Sequence, residues 1–209
     1  MARPALFKRL SATLTSATLL VLTQPACAKP VEVTRFSTPQ TLAQLGWQQA
    51  GRAVAVVPAP DSGIDPQSLV DQPWLDAVAR EVAALGFGAA TPGAADILAE
   101  VDVVHDRLAQ GGGRGPVSVG LGGATGGRHS SLGLGLGFNF GGGVRHLDGT
   151  RLRVILRDRA SGQALWEGRA DNTEKSGSRE ASADLLAPRM AHALFTGFPG
   201  PSGQTTSVK

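Results

Sequence analysis

The chain has 209 residues, a formal charge of +3 and 18% charged residues. Three of its 20 basic residues, Arg3, Lys8 and Arg9, lie in the first 28 positions, which hold no acid, so the remainder carries 17 charges of each sign. That balance removes the basic footprint expected of a nucleic-acid-binding protein, and a single cysteine excludes an internal disulfide.

Leu10 to Thr23 is uncharged and contains Leu14, Leu19, Leu20, Val21 and Leu22; Ala26-Cys27-Ala28 follows. A basic head, a short apolar stretch and a small-x-small site read as a secretory signal peptide over residues 1–28. The apolar stretch is shorter than the roughly 20 residues of a membrane span. Ala26 and Ala28 supply the small side chains for cleavage after Ala28. The alternative is lipoprotein processing, with Cys27 as an acylated first residue that attaches the chain to a membrane. Of Gln24, Pro25 and Ala26, only Ala26 suits that route, so cleavage after Ala28 is preferred. A mature chain without cysteine must be held together by an apolar core.

Val31 to Val33 alternates as a short strand, and Arg52 to Pro58, with Val54, Val56 and Val57, is a second. Asp65-Pro66 suits a helical turn. Pro73 opens a helix whose inner face is Leu75, Val78, Val82 and Leu85, stopped by Gly86. Ile97 to Val104 reads as a strand. Residues 111–143 then hold 15 of the 28 glycines. Within them Val117, Val119 and Leu121, and later Leu132, Leu134, Leu136, Phe138 and Phe140, occupy alternate positions. This predicts a hairpin with one bulky and one bare face. The bare face meets water, or admits close approach of another backbone or of lipid, or the segment stays mobile until a partner arrives.

Beyond it, Leu152, Val154 and Leu156 alternate with Arg153, Ile155 and Arg157. A turn at 159–163 leads into the returning strand Leu165 to Ala170. Asn172 to Ser178 reads as a loop. A closing helix is predicted from about Asp184 to Phe195, with Leu186, Met190 and Ala193 or Leu194 inward. Pro188 requires that it start late or bend. Residues 199–209 read as a disordered tail. The expected fold is α+β: one domain over 29–198, a single mostly antiparallel sheet, two helices on one face and the glycine-rich hairpin as an insertion at 111–143.

Neither glycine window, Gly120/Gly122 nor Gly133/Gly135, completes a dinucleotide fingerprint, and no P-loop ending occurs. His105, His129, His146 and His192 are scattered. His105 lies near Glu100, Asp102 and Asp106, which suits a cation site or, preferably, a solvated strand end. No serine sits in a nucleophile elbow. Hence no catalytic, cofactor or metal residue is assigned. Trp47, Trp74 and Trp166 are read as core. Arg151, Arg153, Arg157 and Arg159 form a stripe that suits anionic lipid or, preferably, an ordinary solvated strand face.

Gly149-Thr150-Arg151-Leu152-Arg153-Val154-Ile155-Leu156-Arg157-Asp158, with Ser161-Gly162 and Leu165-Trp166-Glu167-Gly168-Arg169-Ala170, resembles the bacterial envelope family known as domain of unknown function 4136. The Phe195-x-x-Phe198-Pro199 ending and the run with Val78, Leu85-Gly86-Phe87 and Ala95-Asp96-Ile97 resemble it too. The resemblance implies a secreted or lipid-anchored protein of a Gram-negative bacterium, in the periplasm or at the outer membrane, with no assigned activity. The expected function is non-enzymatic binding or scaffolding, with an unknown envelope protein or lipid as partner and no nucleic acid. The alternatives are a periplasmic enzyme of unrecognised type and a surface-assembly subunit that adds strands edge to edge.

Overall fold

The computed structural model describes residues 29–110, apart from 47, 49 and 50, and residues 145–209. The expected signal segment with Ala26, Cys27 and Ala28, the glycine-rich stretch 111–143 and Trp47 lie outside the described residues.

The chain opens with β1 (Val31–Phe36), then α1 (Pro39–Leu45) and β2 (Ala53–Pro58). Seven residues carry too little apolar periodicity to predict α1. Its start is nevertheless written locally: Thr38 and Thr41 form a reciprocal capping box, Pro39 takes the first turn, and Gly46 at φ 56° closes the helix. Replacing Thr38 with alanine should cost about 1 kcal/mol in chemical denaturation; an unchanged midpoint would show that the cap contributes nothing.

Next come α2 (Gln72–Ala84), β3 (Gly88–Ala89) and β4 (Ile97–Gln110). The described chain resumes with β5 (Arg145–Asp158), β6 (Ala164–Lys175), α3 (Ala183–Phe195) and β7 (Thr205–Val208). All seven strands form one sheet in the order β3-β2-β4-β5-β6-β1-β7.

The fold is α+β, as expected, but the sheet is mixed and the described helices number three. β2 runs parallel to both β3 and β4, whereas β4, β5, β6, β1 and β7 are antiparallel in turn. The reason is the connection. A strand that returns through a helix can lie parallel to its predecessor, and α2 provides that crossover between β2 and β4. The expectation of a mostly antiparallel sheet extended the hairpin pattern to a pair joined differently.

The end of β6 and the tail also differ from the expectation, whereas α3 matches it. β6 continues to Lys175 through the stretch expected to be a loop, because Asn172, Thr173, Glu174 and Lys175 pair with Thr150, Gly149, Asp148 and Leu147. The tail expected to be disordered contributes β7, which pairs with β1 from Val31↔Val208 to Thr34↔Thr205. Its β-branched residues cover an edge of β1 that would otherwise be bare. α3 begins at Ala183, so Pro188 does not delay it.

Strand alternation sorts the sheet into two faces. Val31, Val33, Val54, Ile97, Ala99, Val101, Leu152, Val154, Leu156, Trp166 and Ala170 belong to one buried cluster with Trp74, Val78, Val82, Leu186, Met190 and Leu194 of α2 and α3. The expected core of the β5–β6 hairpin is confirmed: Leu152, Val154, Leu156 and Trp166 are buried.

Candidate functional site

The other face of the sheet carries charge, and its geometry follows from the same alternation. β5 presents Arg151, Arg153 and Arg157 there, between Glu100 and Asp102 of β4 and Glu167, Arg169 and Asp171 of β6. Arg157 grips Glu100 with two bonds, Nε to Oε1 at 3.0 Å and Nη2 to Oε2 at 3.1 Å, and donates a third to the Gly162 carbonyl at 2.7 Å. Glu100 is buried, so the forked guanidinium supplies the pairing that a buried carboxylate requires. Arg153 donates to Glu167 at 3.0 Å, Arg169 donates to the same carboxylate at 2.8 Å, and Arg151 pairs with Asp171 at 2.7 Å. The guanidinium of Arg169 also lies 5.3 Å from the centre of the Phe36 ring.

The arginine stripe is therefore a ladder of matched charges across three strands. Arg159 stands outside it and donates to the Ala95 carbonyl. Glu167 and Asp171 share one face of β6, and the register of β5 with β6 is what sets that face beside the arginines.

Two carboxyl groups are held ionised. Burial opposes the charge of Glu167, but hydrogen bonds from Arg153 and Arg169, with their positive charges, outweigh it and bring its pKa below the ordinary glutamate value. Asp158 is lowered by the backbone and hydroxyl hydrogen bonds of Ser161, which close the β5–β6 turn. A depressed folded-state pKa stabilises the fold above the unfolded-state pKa, and that stability is lost as pH falls through the folded value. Glu167→Gln should therefore flatten the acid limb of the stability profile relative to the parent while lowering stability at neutral pH. Parallel acid limbs in the two proteins would contradict the assignment.

A groove of about 360 Å³ borders the ladder, lined by Ala59 to Ser62, Glu100, Asp102, Arg153, Ile155 and Arg157. With Glu100 and Arg153 already paired, Asp61 and Asp102 are its acids without an ion pair among the described residues. An apolar groove of about 210 Å³ lies between α2 (Ala79, Val82, Ala83) and the β2–β3 edge.

The acids expected near His105 do not meet it. His105 lies on the helix-covered face, with its Nδ1 3.2 Å from Thr150 Oγ1 and its ring centre 6.0 Å from that of Trp74. Glu100, Asp102 and Asp106, each an odd number of residues away, fall on the other face. His192 pairs with Glu81 at 3.3 Å between α3 and α2. His146 is exposed on β5, and His129 lies outside the described residues. Among the described residues no three His, Cys, Asp or Glu side chains form a metal-holding group.

The longest feature is the β4–β5 hairpin, 14 residues in each strand. β2 accompanies β4 only from Ile97 to Val101. The last bond on that side is from the Ala59 N–H to the Val101 carbonyl. From Asp102 to Gln110 no other described strand lies along the outer edge of β4.

The family model described as "Domain of unknown function (DUF4136)" matches residues 39–200. An uncharacterised protein from Zymomonas mobilis subsp. mobilis is 45% identical over 60 residues, which are 29% of this chain and 23% of that protein. The chain thus spans under a quarter of the length of that relative. Among solved structures, the PelC dodecamer from Paraburkholderia phytofirmans is similar at 15% identity and a TM-score of 0.38, over 77% of this chain and 97% of that one. A PDZ domain protein from Parabacteroides distasonis aligns at 12% identity and a TM-score of 0.43, over 86% of this chain and 39% of that one.

Proposed function

The chain belongs to the DUF4136 family, and from that premise we propose that it is an exported protein of the bacterial cell envelope whose domain binds or scaffolds another envelope component without catalysing a reaction. The observation that carries the reading is the charge ladder. Its carboxylates, Glu100, Glu167 and Asp171, are committed to arginines. Burial of Glu167 is outweighed by the hydrogen bonds of Arg153 and Arg169, which shift it downward, away from the range in which a carboxyl acts as a general acid near neutral pH. Such a face is a stable platform. Export is supported by the basic head, apolar stretch and Ala26-Cys27-Ala28 site of the first 28 residues.

Fractionation of cells producing the chain from Met1 tests the proposal. The protein is expected in the envelope fraction, and to become protease-accessible once the outer membrane is opened. Retention in the cytoplasm would contradict it.

A second reading, assembly by strand addition, is favoured by the outer edge of β4 beyond Val101. Among the described residues that edge has no partner strand, and its backbone donors and acceptors would suit an incoming one.

A further inference from the structure

Among the described residues four buried side-chain polar atoms have no hydrogen-bond partner, and all four lie where α3 meets the end of β6: Oδ1 and Nδ2 of Asn172, Oγ of Ser178 and Nε of Arg189. Buried polar atoms are normally satisfied, so a group of orphans at one contact calls for a physical reason. Asn172 is 5% exposed. Alternation sets it on the inner face of β6, between Ala170 of the core and Glu174, which Arg189 of α3 holds at 2.6 Å. A carboxamide there has given up solvent without gaining a partner, which penalises the closed arrangement above it.

This end of β6 touches both α3 and the 3₁₀ turn Arg179–Ala181 that precedes it. The segment 178–187, from that turn through the start of α3, is loosely joined at both ends. Gly177, at φ 72°, stands before it, in a conformation that a residue without Cβ adopts freely. Pro188 follows it inside α3 and has no N–H for the Asp184 carbonyl, so the helical ladder is interrupted where the segment joins the rest of the helix. Within the segment the bonds are internal: Ala181 donates to the Ser178 carbonyl, Ser182 to Arg179, and Leu185 and Leu186 to Ser182. The Ser182 hydroxyl also turns back to the Arg179 carbonyl and leaves the N-cap of α3 without a side-chain bond. Ser178 N–H, 3.0 Å from the Lys175 carbonyl, ties the segment to the end of β6. The burial of Leu186 and Ala187 keeps it shut. Beyond Pro188 the helix is anchored at both ends, by Arg189 on Glu174 and by Arg35 on its last carbonyls.

From this we infer that residues 178–187 form a hinged cover, shut by Leu186 and Ala187 and opposed by the unpartnered Asn172 amide. It opens as a unit about Gly177 and Pro188, giving the domain a second state in which the polar end of the inner face is uncovered. The inference goes beyond the binding or scaffolding reading and does not depend on it.

Native-state hydrogen exchange on the purified full chain tests it. In the parent, the amides of Leu185, Leu186 and Ala187 should exchange at least about tenfold faster than those of Ala191 to Leu194, with the step at Pro188. Asn172→Leu replaces the orphan amide with an apolar group of similar size, and should slow exchange at 185–187 at least about tenfold. Pro188→Ala restores the missing N–H, couples the two parts of the helix and should narrow the step. Uniform protection along α3 in the parent overturns the inference. Fast exchange at 185–187 that is indifferent to Asn172→Leu is the fraying of a helix end, and overturns it too. Should Asn172→Leu fail to fold, Pro188→Ala decides: a narrowed step upholds the hinge, and an unchanged step overturns it.

Discussion

Replacing Trp166 with alanine should lower the stability of the domain by about 3–5 kcal/mol, read as a fall in the denaturant midpoint. The indole is 1% exposed. It stacks on Phe195 with ring centres 5.4 Å apart, and meets Phe198 at 5.0 Å. Its N–H donates to the Pro199 carbonyl at 3.0 Å. One side chain thus joins β6, the end of α3 and the segment that follows it. Gly168 belongs to the same arrangement, since a Cβ at that position would stand 2.3 Å from the indole. Truncating Trp166 removes a large buried surface and leaves a cavity that the flanking phenylalanines cannot fill in place. A loss below about 1 kcal/mol would remove Trp166 from the core.

Arg35 should be comparably costly to remove, by about 3 kcal/mol or more for Arg35→Met. It is 4% exposed and has no carboxylate partner among the described residues; instead it donates to three carbonyls at the end of α3. Nε meets Leu194 O at 2.9 Å, and Nη2 meets Ala193 O at 3.0 Å and Thr196 O at 2.7 Å. A cation at a helix C-terminus satisfies carbonyls that have no partner within the helix and complements the dipole. Burial lowers the pKa of Arg35, yet an arginine stays charged, which suits this position better than lysine. Gly200, at φ 72°, lies against the guanidinium where a Cβ would stand 2.7 Å from Arg35 Cδ. Arg35→Lys, which keeps the charge but loses the fork, should fall between the parent and Arg35→Met. Equal stability of all three proteins would contradict the capping role.

Much of the fold was legible because its signals are local. Leu152, Val154 and Leu156 alternate over a long strand, and Leu75, Val78 and Val82 repeat at helical spacing; both patterns gave the right elements and faces. The capping box at Thr38 was equally local and was missed, because a helix of seven residues shows little apolar periodicity. What alternation does not contain is strand order. The parallel pairing of β2 with β4 depends on the crossover through α2, and the pairing of β7 with β1 joins the two ends of the described chain. The core arginine was hidden for a related reason. Arg35 continues the alternation of Val31 and Val33, so its position on the inner face could be read, but its partners are the carbonyls of a helix about 160 residues later in the chain. The charge ladder was half legible. Its arginines stood out, and the acids opposite them required the register of three strands.

If the protein works in the envelope as proposed, its N-terminal segment is removed on export. The intact mass of the protein recovered from envelope fractions reads this directly. The expected mass is that of a chain that begins at Lys29. A chain that begins at Cys27 with acyl groups would contradict the choice of cleavage site. An unprocessed chain from Met1, found in the cytoplasm, would contradict the envelope proposal itself.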